Sequence, residues 1–345
     1  MITLKLPEVC NYVMGQSPAS QYYNKSQNGL PFLQGCTTFG RLYPTFDTWT
    51  TVYTRTCQPN DVLMSVRAPV GDINISKDKI ALGRGVAAFS MKNGDNRYLF
   101  YLLMANREKL QSCSTGTIYE TISKSQLENI EFIIHEPAEQ SHIVDILGSL
   151  DNSIENNEEK AKKIIELGLL LIQINSVKQI ELKPFIKFIK GKKPIENGSS
   201  LDVYLSIDAI TTGNYTNAYI DGMIMANPFD ILMVMDGASS GTVYSHQKGI
   251  VSSTLAKIET PNEINDYIFW FLLSLKDTIK SRNTGSAIPH ANKDYIGSLM
   301  FDYEVATDDK LRNKLHTLRE ELIEIQNKNK ELKRLKELYL KKFFD

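Results

Sequence analysis

From Gln140 to Lys178, the seam positions recur in alternating steps of four and three: Ile143, Leu147, Leu150, Ile154, Asn157, Ala161, Ile164, Gly168 and Leu171. Steps of that kind keep one narrow face of an α-helix turned toward another helix. The chain ends on a second seam in the same phase: Leu311, Leu315, Leu318, Leu322, Ile325, Asn329, Leu332, Lys336, Tyr339 and Phe343. The shift that sets Ile143 on Leu311 lays one seam on the other. Pro137 and Glu139 suit a first helical turn, and Pro184 marks where the helix has ended. The central helix should span roughly 38 residues, about 57 Å at 1.5 Å per residue. The final helix should start at Thr307 as cap, with Asp308 and Asp309 in its first turn.

The remainder is strand-rich, punctuated by turn signals at Gly15-Gln-Ser-Pro18 and Asn28-Gly29. Asp61-Val-Leu-Met-Ser-Val-Arg67 reads as a strand entering the turn Ala68-Pro-Val-Gly71. Ile80 to Met91 reads as a strand interrupted by Gly83-Arg84-Gly85, Tyr98 to Leu110 as a helix, and Ile130 to Ile134 as a short strand. Residues 181–305 replay this order. Asp230-Ile-Leu-Met233 answers Asp61-Val-Leu-Met64, and Tyr267–Leu272 answers Tyr98–Leu103. Thr284-Gly285-Ser286 answers Thr115-Gly116-Thr117, Gly241 answers Gly71, Lys293 answers Lys124 and Ile296 answers Leu127, most of them at the separation of Asp61 from Asp230. Agreement at one period across strand, helix, loop and seam implies an internal repeat. The expected fold is α+β: two repeated mixed domains, 1–135 and 181–305, separated by two long antiparallel helices, 136–180 and 306–345, forming a coiled coil.

Composition changes this picture little: 42% hydrophobic and 23% charged residues are ordinary for a soluble globular chain of 345 residues. Charge distribution matters more than the net charge of −1. The four segments carry +3, −4, −3 and +3 in order, so the two helices are opposite in sign, as suits mutual pairing. Neither globular segment is strongly basic. Cys10, Cys36, Cys57 and Cys113 are widely spaced and read as idle thiols of a reducing compartment. The opening MITLKLPEVC lacks a signal-peptide pattern, and the apolar run Leu167–Ile172 is too short to span a bilayer. The expected location is the cytoplasm, with no membrane partner.

The residues form no catalytic constellation. His135, His142, His246, His290 and His316 lack metal-ligand spacing and read as surface or loop residues. The phosphate-binding GxxxxGK[ST] loop is missing. Asn227-Pro-Phe-Asp230 faintly resembles an amino-methyltransferase motif, yet it lacks the second Pro and reads as a turn. The aromatic stripes Tyr98/Phe100/Tyr101 and Tyr267/Phe269/Trp270 read as core. What remains are loop polars on a scaffold. Arg67 and Arg84 suit guanine edges or phosphates, and Gln16 and Gln34 suit adenine edges. Thr115, Thr117, Thr284 and Ser286, beside glycines, can bring hydroxyls to phosphates. Lys124, Lys192, Lys193, Lys248 and Lys293 can neutralise backbone charge. In the second half, Asp236 replaces Arg67 and either accepts from a cytosine amino group or ends a strand, and Ser240 stands in the same loop.

With the repeat and its helices in hand, the sequence resembles the specificity subunit of type I restriction-modification systems. The resemblance rests on Gly15-Gln-Ser-Pro18, Asp61 through Gly71, Gly83-Arg-Gly85, Thr115-Gly-Thr-Ile-Tyr119, Pro137-Ala-Glu-Gln140, Ile143, Ile146-Leu147 and Leu150-Asp151. It implies that each globular half reads one part of a split site in double-stranded DNA while the helices set the spacing. It further implies two methyltransferase partner subunits using S-adenosylmethionine, and a restriction/translocase subunit using ATP and Mg. This chain would then bind no cofactor and no metal and catalyse nothing. The second half lacks counterparts of Arg67 and Gly83-Arg84-Gly85, so the implied contacts are weaker there. Two other readings stay open: a self-contained DNA methyltransferase, and a coiled-coil scaffold that does not bind DNA.

Overall fold

A computed structural model describes residues 1–116, 120–172, 179–285 and 287–345. The chain divides into two compact units, Met1–Ile154 with Leu332–Asp345, and Glu155–Glu331. Each unit therefore joins one globular half to part of both long helices, rather than leaving the helices as segments of their own.

In the first unit, Cys10–Met14, Val86–Met91, Val62–Ser65 and Ile73–Ile75 form an antiparallel sheet in that order. The helix Asn96–Ala105 packs on it, with Tyr98 to Leu103 all fully buried. Asp95 caps that helix by accepting from the Tyr98 amide at 3.0 Å. The expected continuation to Leu110 is broken at Asn106, whose side-chain amide donates to the Leu102 carbonyl and competes with the helix ladder. A second helix, Arg107–Ser112, follows. The strand Glu131–Ile134 pairs with Ile2–Lys5. The run Ile80–Met91 splits at its glycines. Ile80–Leu82 joins a separate peripheral sheet, where it lies parallel to Leu30–Leu33, a pairing that the alternation of side chains gave no hint of.

The second unit repeats the plan. Lys187–Lys190, Leu255–Glu259, Ile231–Val234 and Val243–Tyr244 form the antiparallel sheet, and Asn265–Ser274 covers it. Its peripheral sheet again contains a parallel pair, Leu201–Leu205 with Gly249–Val251. Turn chemistry repeats as well. The Asp61 carboxylate accepts from the Gln58 amide and that of Asp230 from the Asn227 amide, each at 2.7 Å. Asn227-Pro-Phe-Asp230 is thus a turn entering a strand.

The long helices span Pro137–Leu171 and Asp309–Phe344. The expected extension of the first over residues 173–178 lies outside the described residues. In the first unit, buried Ile143, Leu147 and Leu150 share a core cluster with Leu332, Tyr339 and Phe343. In the second, Ile164 packs in one cluster with Leu311, Leu315, Leu318, Leu322 and Ile325, and half-buried Ala161 lies against it. Asn157 and Asn329, the polar residue of each seam suited to fixing register, meet one another: Nδ2 of Asn157 donates to Oδ1 of Asn329 at 2.7 Å. Helices that run in opposite directions bring together positions that a repeat alignment keeps apart. The C-terminal helix is capped by Asp308, which accepts from the Leu311 amide at 2.8 Å, and not by Thr307, whose hydroxyl serves the preceding turn.

Gly168 and Lys336, the seam positions least suited to apolar packing, are both tightly engaged. A Cβ on Gly168 would lie 2.4 Å from Cζ3 of Trp270, so the glycine seats that indole, whose Nε1 donates to the Leu315 carbonyl at 3.2 Å. The Lys336 ammonium reaches both oxygens of fully buried Asp151, at 2.7 and 2.9 Å. Arg41 joins the same carboxylate at 2.8 Å, and the Tyr101 hydroxyl donates to it at 2.7 Å. The second unit inverts the arrangement. Arg319, which falls on Asp151 when the two seams are superposed, is fully buried and binds Asp266, Asn265, the Phe229 carbonyl and the Ser245 hydroxyl. Burial lowers the pKa of both Lys336 and Arg319 while their carboxylates oppose the shift. Two of the loop histidines are enclosed: His135 is buried against Tyr98, and His246 carries a positive φ of 68° with its ring largely covered.

Candidate nucleic-acid interface

Three of the polar loop residues converge in the first unit. Gln34, Arg67 and Arg84 line one cleft of about 410 Å³, together with Cys36, Pro69 and Asp72. Close packing of backbones builds it. The Gly83 amide donates to Leu33 and the Gly85 amide to Gln34. A Cβ on Gly85 would stand 2.4 Å from the Gln34 carbonyl oxygen, and one on Gly15 would stand 2.1 Å from that of Gly83. The glycines of Gly83-Arg-Gly85 therefore serve close approach, and Arg84 is the residue left exposed at the tip, its amide donating to Ser17 Oγ at 3.0 Å. Arg67 is held from both sides: the Val66 amide donates to Gly85, the Ala68 amide to Glu120, and Arg67 bridges to Thr121.

The electrostatics suit an anionic, hydrogen-bonding ligand. Neither the Arg67 nor the Arg84 guanidinium has an ion-pair partner among the described residues, whereas Asp72, the one carboxylate lining the cleft, is neutralised by Arg107. Burial, with Asp72 beside it, pushes the Cys36 thiol up, so the cleft presents no thiolate at neutral pH. Gln16 is exposed, its Oε1 accepting from Thr54 at 3.3 Å, but lies outside the cleft lining. Thr115 is exposed and pairs with Thr121 by two backbone hydrogen bonds of 2.9 Å. Lys124 is exposed, 3.7 Å from Glu128. Thr117 lies outside the described residues.

The second unit copies the backbone and changes the chemistry. The Met235 amide donates to Thr254, the Gly237 amide to Pro289 and the Ala291 amide to Met235. These match Val66 to Gly85, Ala68 to Glu120 and Ile122 to Val66, each one repeat earlier. At the place of Arg67 stands Asp236, whose two carboxylate oxygens are taken by Lys190 at 2.9 Å and His290 at 2.7 Å. Partial burial raises the Asp236 pKa, but the hydrogen bonds and charges of Lys190 and His290 outweigh this and hold it below the ordinary carboxylate value. Neither Lys190 nor His290 stood among the sequence candidates. Their signal was positional, since His290 is the repeat counterpart of Thr121.

Ser240 is a correction. It is fully buried, its hydroxyl donating to the Gly237 carbonyl and its own carbonyl accepting from Asn283, so it braces the loop instead of facing a ligand. Lys192 donates to the Gly222 carbonyl, and Lys193, Lys248 and Lys293 are exposed. Thr284 is exposed and bonds His290 through the backbone; Ser286 lies outside the described residues. No cluster of metal-ligating residues occurs among the described residues, and no helix there is long and apolar enough to cross a membrane.

A family model described as the type I restriction modification DNA specificity domain matches residues 2–166. That match covers just under half of the chain. The matched residues contain the Arg67–Arg84 cleft. The chain is 39% identical over 167 residues to the putative type I restriction enzyme MjaX specificity subunit of Methanocaldococcus jannaschii, covering 46% of this chain and 39% of that protein. It is 32% identical over 174 residues to the MjaVIII specificity subunit of the same organism, covering 48% and 41%. The chain thus spans about two fifths of the length of these curated relatives. The crystal structure of a type I restriction-modification system S subunit from M. genitalium aligns with a TM-score of 0.62, over 100% of this chain and 96% of that one. At 16% identity, that likeness is one of fold.

Proposed function

We propose that the chain is the DNA-recognition subunit of a type I restriction-modification complex. On this reading each unit reads one part of a bipartite site in double-stranded DNA, and the two long helices form an antiparallel coiled coil that sets the spacer. The observation that carries the reading is the convergence of Arg67, Arg84 and Gln34 on one cleft of a domain matching the DNA specificity family. Guanidiniums with no ion-pair partner among the described residues suit guanine O6 and N7 and a carboxamide suits adenine N6 and N7, both from the major groove. The repeated backbone around Asp236 supports a reader of different specificity in the second unit.

In this role the chain catalyses nothing and holds no cofactor. Methyl transfer from S-adenosylmethionine falls to two methyltransferase subunits, and ATP- and Mg-dependent translocation to a restriction subunit, all in the cytoplasm. The test is sequence-specific binding of the full chain, with and without its methyltransferase partner, followed by mapping of methylated bases in cells with and without the gene. Arg67→Ala should weaken binding to the cognate duplex by about 1–3 kcal/mol and relax one position of the first half-site only. Equal loss on cognate and random DNA would make Arg67 a phosphate contact. Tight S-adenosylmethionine binding by the isolated chain would favour a self-contained methyltransferase. Absence of site-specific binding even with the partner would favour a scaffold.

A further inference from the structure

We infer that His290 is the base-reading side chain of the second unit and Asp236 its positioning residue. The inference rests on the chain being a DNA-recognition subunit. Asp236 stands where Arg67 stands in the first unit, on the same backbone bridge, so the position itself is aimed as Arg67 is. Its carboxylate is nevertheless occupied at both oxygens, by Lys190 and by His290 Nδ1. A carboxylate so held has little to offer a base, and releasing it would leave a lysine and a histidine without their partner.

The imidazole is the group left to act. Its side chain is 51% exposed, and Nε2 has no hydrogen-bond or ion-pair partner among the described residues. Two backbone hydrogen bonds to Thr284, of 2.9 and 2.7 Å, fix its place on the chain, and the bond from Nδ1 to Asp236 fixes the ring. With Nδ1–H donated to the carboxylate, the neutral ring presents Nε2 as an acceptor. Lys190, against the other carboxylate oxygen, balances the charge of Asp236, and Nε2 stands at the surface as the acceptor of that tautomer. An acceptor in the major groove pairs with an exocyclic amino group, N6 of adenine or N4 of cytosine. The first unit would thus read with donors and the second with an acceptor, from equivalent positions of one scaffold.

The test uses the full chain with its methyltransferase partner and duplexes containing the mapped site. Each adenine or cytosine of the second half-site is replaced in turn by purine or 2-pyrimidinone, which lack the amino group. At one position the deletion should weaken wild-type binding about tenfold or more. In His290→Ala the same deletion should cost little further, while the first half-site and random-DNA affinity stay unchanged. Asp236→Asn should reduce the discrimination at that position only, which a merely structural role would not do. His290→Gln gives a second variant should the alanine form fold poorly, and it should lose the same discrimination. If every amino deletion costs the His290 variants as much as wild type, the inference falls while the assignment of the chain stands. If wild type shows no specific site at all, the assignment itself falls.

Discussion

Asp151 is fully buried and carries three partners at once: the Lys336 ammonium, the Arg41 guanidinium and the Tyr101 hydroxyl. Removing one member of such a group leaves the others charged in a low-dielectric site. Asp151→Ala should therefore destabilise the first unit by about 3–5 kcal/mol, seen as faster hydrogen exchange across Asn96–Ala105. Replacing Asp151 and Lys336 together by leucine should recover much of that loss; an equal or larger loss would mean that the cluster stabilises through more than charge pairing. His246 gives the second unit a pH dependence. Burial first, then the adjacent Arg319 charge, lowers its pKa from 6.5 to about 4. The unfolded chain binds that proton first, so stability is full above pH 6.5 and declines as pH falls toward about 4, by up to about 3 kcal/mol. His246→Asn, which keeps a residue that tolerates positive φ, should flatten urea-unfolding midpoints across that window; an unchanged slope would assign the acid sensitivity to other groups. Of these residues, Arg67, Arg84 and Gln34 could be nominated from sequence because their loops carry turn signals. Asp151 and Arg319 could be seen only as charges on a helix, since their partners come from distant parts of the chain.

Among the elements, the long helices were the most legible, because a 3.5-residue period needs only local sequence. What the period could not convey was what fills its gaps. Glycine in a helix interior ordinarily costs about 1 kcal/mol relative to alanine, so Gly168→Ala would stabilise an isolated helix. Here the new methyl group would fall within 2.4 Å of the Trp270 ring. The ring must then shift and strain its hydrogen bond to Leu315. The net effect should be a loss of about 1–3 kcal/mol, measurable as a lower Tm with altered tryptophan emission; a rise in Tm would show that the indole relocates freely. The peripheral sheets were missed for a related reason: strands of two residues, such as Trp49–Thr50 and Met225–Ala226, are too short to show alternation.

For the whole molecule, the repeat is the property on which the proposed function rests, and a single period shared by strand, turn and helix made it readable. Each unit contains its own stretch of both long helices, with the division falling at Ile154/Glu155 and at Glu331/Leu332. Inserting one heptad at both points preserves the seam phase and leaves the buried contacts of each unit untouched. Seven residues add about 10 Å to each helix, close to three base-pair steps of a duplex that rises about 34 Å per turn of roughly ten. If the helices set the spacer, the methylated motif should lengthen by about three base pairs between half-sites that are themselves unchanged. A motif with altered half-sites and the original spacer would show instead that the units, and not the helices, fix the distance. An insertion in one helix alone leaves the Asn157–Asn329 pair inside its unit but makes the two connecting helices unequal in length, and should abolish recognition of either spacing.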